Sequence, residues 1–276
     1  MKRLLMFFLC LSLPILAPSS AVAAEFASEE DFAQWLTGYY RHPEPARVSE
    51  AFRYAAANGL LQEPAFGMLF TGFIAGVFRD NPEKVPAWQA EWLRLDAATA
   101  NSEADDDDDR AARGRANMIF FALWYAEHPE LRQMARALEE KNDDLKFLAG
   151  TIRDYHENAR SLEDIPINQG EWVVRALWGK FYATGEVAAL ERTLQALPWE
   201  KYPDSAEYGN QPLGTIFAPQ QIGRAAHWML SDAAYLNPQM LERCKAFLEK
   251  TRDAAIAEAL RSIIAEVTKA KAAAAP

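Results

Sequence analysis

Arg224, His227 and Ser231 stand at i, i+3 and i+7 within residues 222–231, so a helix there would carry all three on one face. A guanidinium, an imidazole and a hydroxyl grouped this way can hold an anionic or polar group of a partner. They can also serve acid–base chemistry if a carboxylate tunes the imidazole. Arg175 and Lys180 interrupt an otherwise apolar stretch upstream, and Asn117 interrupts the one before it. Between these stretches, residues 197–221 form a long segment broken by Pro198, Pro203, Pro212 and Pro219, yet stocked with Trp199, Tyr202, Tyr208 and Phe217. Long ordered loops often carry function, and Arg and aromatic side chains dominate interface energetics. The expected binding residues are therefore Arg175, Trp199, Tyr202, Arg224, His227 and Ser231. The competing expectation is that they satisfy one another's hydrogen bonds between helix layers.

Other residue types point to structure rather than catalysis. The sequence contains no His-Glu-x-x-His pair, no Gly-x-Ser-x-Gly elbow, no phosphate-cradling or dinucleotide glycine loop and no Cys-x-x-Cys. No metal and no cofactor are expected, and no residue is assigned a catalytic role. His42 and His128 fall in a repeated turn, and His156 is expected to be solvated at a polar helix end. The five carboxylates at 105–109 repel one another, which predicts an extended, solvated loop before a helix starting at Arg110. A calcium loop would instead space its ligands around a glycine. Cys244 shares helical spacing with Leu241, Phe247 and Leu248, as a buried small apolar residue would. Glu171 and Arg175 are spaced for an i, i+4 ion pair.

Charge excludes one class of partner. The chain has 276 residues, with 39 acidic against 29 basic side chains and a net charge of −10. Such a surface lacks the cationic surplus that neutralises nucleic-acid phosphates. The N-terminus reads as an export signal: Lys2 and Arg3, an apolar run from Leu4 to Leu16, then Ala21-Val22-Ala23 before Glu25. Its apolar run is shorter than the ~18–20 residues that span a bilayer. Residues 1–24 are thus expected to be a cleaved signal peptide, with cleavage after Ala23 or Ala24, giving a periplasmic or secreted protein without an integral span. Losing Lys2 and Arg3 takes the net charge from −10 to −12 and leaves Cys244 as the single cysteine. The core must then be held without an internal disulfide.

The elements that position these residues read as helix after helix. Phe32, Trp35, Leu36 and Tyr39 follow helical spacing behind Ser28-Glu29-Glu30-Asp31, which reads as a capping box. Val48, Ala51, Phe52 and Ala55 repeat the spacing, and Asn58-Gly59 predicts a left-handed stop. Five times a helix ends in aromatics and a short turn with Pro or Gly, centred at residues 43, 82, 129, 185 and 238. The helix before each turn is apolar on most sides, and the one after it is amphipathic. No charge occurs from Pro64 to Phe78, where Gly72 and Gly76 predict close helix approach. The spacing of the turns is too uneven for a strict tetratricopeptide period. The expected architecture is all-α, an irregular α-hairpin array resembling tetratricopeptide or α/α-solenoid folds, with about 11–12 helices. One domain is expected over 25–268, with 269–276 a frayed tail.

The segment 172–186, ending Ala183-Thr184-Gly185-Glu186, resembles an aromatic-helix motif of uncharacterised exported bacterial all-α proteins. Phe32 to Pro43, with its Trp and paired Tyr, is similar to the start of the same family. The resemblance implies helical fold and export, and brings no activity with it. The functional expectation is a non-catalytic periplasmic helical-repeat scaffold that binds a protein or peptide partner. The alternative expectation is a hydrolase-like enzyme with a site near His227 and the loop at 197–221.

Overall fold

The computed structural model describes residues 26–95, 106–143, 145–146, 161–202 and 219–274, and the side chains of 106–113 are outside that description. The expected signal peptide, Tyr208, Phe217 and His156 lie outside the described residues. The fold is all-α: eleven α-helices and several short 3-10 turns, with no strand among the described residues. The helices are α1 (Glu29–Gly38), α2 (Val48–Ala57), α3 (Pro64–Asp80), α4 (Val85–Trp92), α5 (Asp106–Tyr125) and α6 (Pro129–Glu140). They continue with α7 (Glu171–Thr184), α8 (Val187–Leu194), α9 (Pro219–Leu236), α10 (Pro238–Lys250) and α11 (Ala254–Ala274).

Local signals explain most helix ends. Ser28 Oγ accepts the Asp31 N–H at 3.1 Å, but the returning Asp31 carboxylate takes the N–H of Ala27 rather than that of Ser28, so the box closes one residue early. Gly59 and Gly185 both adopt φ of 71°, the left-handed conformation that stops a helix at no side-chain cost. Asn237 caps α10 by accepting the Gln239 N–H. Asn81 behaves differently: its amide donates back to the Val77 carbonyl and so closes α3 instead of opening the next turn. One expectation is corrected: residues 106–109 are the first turn of α5 rather than an extended loop. Residues 269–274 continue α11.

The most extensive helix contact among the described residues joins α3 to α7. Gly72 lies on the backbone of Ala176, Gly179 lies on Leu69 and Phe73, and Gly76 lies on Ala183 and Thr184. The register shows the two helices running in the same direction with backbones nearly touching. Helix α3 also packs on α5, and α7 on α9, giving a spatial row α5–α3–α7–α9. A stack laid down in chain order would place α5 beside α7; α3 takes that position. The reason is composition: α3 is uncharged from Pro64 to Phe78 and is best buried on both sides. The amphipathic partners α6, α8 and α10 each lie against the helix that precedes them, while α4 lies against α2.

This row brings the five repeated turns to one end of the molecule. Arg79 at the end of α3 pairs with Glu186 after α7 at 2.8 Å, and the ring of Tyr40 lies tilted against that of Phe181 with centroids 5.1 Å apart. Lys180 reaches Glu127 in the turn after α5. The turn before α2 and the turn between α9 and α10 line one depression. Lys180 Nζ, nearly fully buried, also meets Glu163 at 2.7 Å and Glu186 at 3.7 Å. Glu127 holds φ of 59°, an uncommon conformation for a non-glycine residue, and its carboxylate is spent on that lysine.

Candidate functional site

A groove runs along the outer edge of α9. Arg224, Trp228, Asp232 and Leu236 stand at successive i+4 steps and form one wall, about 18 Å long at 1.5 Å per residue. Along its central and far parts the opposite wall is α1, through Glu29, Ala33 and Thr37, again at i+4 steps. The floor comes from α7, where Arg175, Trp178 and Tyr182 fall at i, i+3 and i+7. Three depressions make up the groove. At one end Arg175, Arg224 and Trp228 border an open space of about 430 Å³. Trp228 is shared with a central pocket of about 350 Å³, which in turn shares Ala33, Thr37 and Tyr182 with a depression of about 620 Å³ at the far end. That far end is bordered by Arg41, His42, Leu236 and Asn237.

The central and far parts of the groove are apolar where a protein surface usually is not. Trp228 is 62% exposed and Leu236 68% exposed, both large hydrophobic side chains on one face of α9. Arg175 pairs with Glu171 at 3.3 Å, as its spacing predicted. Asp232 is held above the usual carboxylate range by partial burial. Tyr182 is pushed up to about 12, chiefly by burial, with the Asp232 carboxylate adding to the effect.

The sequence-predicted residues divide into two groups. Arg175 and Arg224 are brought together at the end of the groove. Trp199, Tyr202 and His227 sit on the other side of α9, where the 3-10 turn Leu197–Lys201 docks on the helix through Gly223; a Cβ there would stand 2.1 Å from the Glu200 nitrogen. Trp199 is partly buried in that seam, and Tyr202 is exposed. None of the three depressions is bordered by these residues.

His227 lies between two carboxylates. Glu200 Oε2 is 2.6 Å from Nδ1, a close contact without hydrogen-bond alignment, and Glu266 Oε2 is 3.3 Å from Nε2. Ser262 donates to the other oxygen of Glu266 at 2.8 Å, and that bond, followed by the contact with His227, holds the Glu266 carboxyl below its ordinary range. The set ties α9 to α11 and to the 3-10 turn Leu197–Lys201. Its serine bonds the carboxylate and not the imidazole, so it does not form the relay in which a base activates a hydroxyl. Ser231 Oγ is buried without a hydrogen-bond partner among the described residues.

Trp228 and the α1 wall are the parts of the groove that sequence reasoning missed. The signal for Trp228 was available: it lies at i+4 from Arg224, on the face the arginine defines. Among the described residues, no group of three or more His, Cys, Asp or Glu side chains is placed to hold a metal ion. No helix among them is long and apolar enough to cross a membrane. No protein-family model matches the chain, and neither a curated protein nor a solved structure is detectably similar to it.

Proposed function

We propose that this protein is a non-catalytic binding module whose α1–α9 groove takes a peptide segment of a protein partner. The observation that carries the reading is the continuous groove in which Trp228 and Leu236 stand largely exposed on one edge of α9. Burying large aromatic and aliphatic groups in a concave site supplies the anchor energy of peptide recognition, and helix-edge grooves of this length suit a segment of a few turns. Arg175 and Arg224 at one end add donors for a carboxylate or carbonyl of the segment. The periplasmic or secreted setting rests on Lys2, Arg3, the apolar run and Ala21-Val22-Ala23.

Selection from a displayed random-peptide library tests the function. Wild-type protein is expected to enrich a related set of peptides, and Trp228→Ala, changed at an exposed side chain, is expected to lose them while keeping its melting temperature. Enriched peptides that bind Trp228→Ala equally well, or no enrichment, would contradict the reading.

A further inference from the structure

The central pocket of the groove has a charge pattern of its own. Its walls are aromatic and aliphatic, with Phe66, Tyr182 and Trp228 presenting partly or largely exposed rings. Two carboxylates border it from opposite sides, Glu29 on α1 and Asp232 on α9, and no lysine, arginine or histidine does. Neither carboxylate makes an ion pair or hydrogen bond among the described residues, whereas Arg175 and Arg224 are confined to the next depression. An apolar pocket faced by two carboxylates that pair with no cation among the described residues is complementary to a group with an apolar stem and a cationic head. The stem gains from burial, and the head gains from the carboxylates and from the faces of the rings. The partial burial that raises the Asp232 carboxyl is what an incoming cation would offset.

Resting on the peptide-binding reading, we infer that the pocket between α1 and α9 recognises a lysine or arginine side chain of the bound peptide, with Asp232 and Glu29 as its counter-charges and Trp228 as its aromatic wall. The net charge of −10 on the chain favours a basic segment over an acidic one during encounter.

Two arms test this separately from the function itself. In the first, the folded protein is titrated with n-butylammonium, a mimic of the lysine side chain, and with 1-butanol, its neutral counterpart, while the Trp228 indole signal is followed by NMR and assigned by its loss in Trp228→Phe. The expected result is a saturable shift with n-butylammonium alone, weakened about fivefold in Asp232→Asn. Equal shifts with both compounds, or none with either, would overturn the inference even if peptides bind. In the second arm, the peptides enriched by display should share a Lys or Arg, and norleucine in its place should weaken binding about tenfold. Peptides that tolerate norleucine would overturn the inference and leave the groove as a neutral peptide site. If no peptide is enriched but n-butylammonium binds selectively, the cation pocket stands and the peptide reading fails.

Discussion

Gly179 of α7 rests on the carbonyl of Leu69 in α3 so closely that a Cβ added to it would stand 1.8 Å from that oxygen. No side chain could yield there, because the obstacle is backbone. The row of helices that floors the groove is thus held by a contact only glycine allows.

Gly179→Ala is expected to cost about 3 kcal/mol or more, since either α3 or α7 must shift. Gly114→Ala is the control: it is helical, exposed, and its added Cβ would meet nothing within 4 Å. That change should stabilise by about 0.5–1 kcal/mol through helix propensity. Chemical denaturation of the two variants measures both, and equal small effects would show that the α3–α7 contact is looser than described.

Lys180→Met should destabilise by about 3 kcal/mol, because it removes the cation between Glu127, Glu163 and Glu186 while leaving them crowded together. Their partial exposure keeps the figure at the low end. Glu127→Gly is expected to cost less than about 1 kcal/mol, since glycine relieves the positive φ and Lys180 keeps two carboxylates. Denaturation midpoints of the two variants decide between a shared counter-charge and a single essential pair.

Thermal stability should fall in alkali. Burial pushes the Cys244 thiol from 9.0 up to about 12 and the Tyr182 phenol from 10.0 up to about 12, and it raises Tyr39 and Tyr125 further. Each group keeps its proton in the folded state at a pH where the unfolded chain releases it. Its contribution is therefore complete below the unfolded value and is lost as pH climbs through the folded one. Melting temperatures should hold from pH 7 to about 9 and drop steadily above it. The same burial should leave Cys244 unreactive toward Ellman's reagent at pH 8 until the protein unfolds.

What the sequence made legible was local. Helical spacing defined the class, Gly59 and Gly185 marked real stops, and the Gly72–Gly76 pair announced a close approach without naming α7 as the partner. Pairing order was not legible, because α3 displaces α5 through its all-round apolarity, a property of the assembled row. Lys180 was visible as an interruption. Its carboxylates were not, since Glu127 lies 53 residues away and Glu163 17 residues away. The candidate site was half visible: Arg175 and Arg224 share a depression, but His227 turned to the opposite side of α9, toward Glu200 and Glu266. On a helix the i+3 residue stands well off the line of the i+4 row, and which side of that line meets solvent depends on where α11 packs. Trp228 went unread because a tryptophan in an apolar helix resembles core until its neighbours are known.

The central claim is that the groove between α1 and α9 is the binding surface, and hydrogen exchange measures it directly. With a peptide recovered from the display selection bound, backbone amides of Glu29–Gly38 and of residues 224–236 should exchange more slowly, while α6 and α8, which border none of the depressions, stay unchanged. Protection confined to the His227–Glu266 side, around Leu197–Lys201 and α11, would contradict the claim and move the site to the other side of α9.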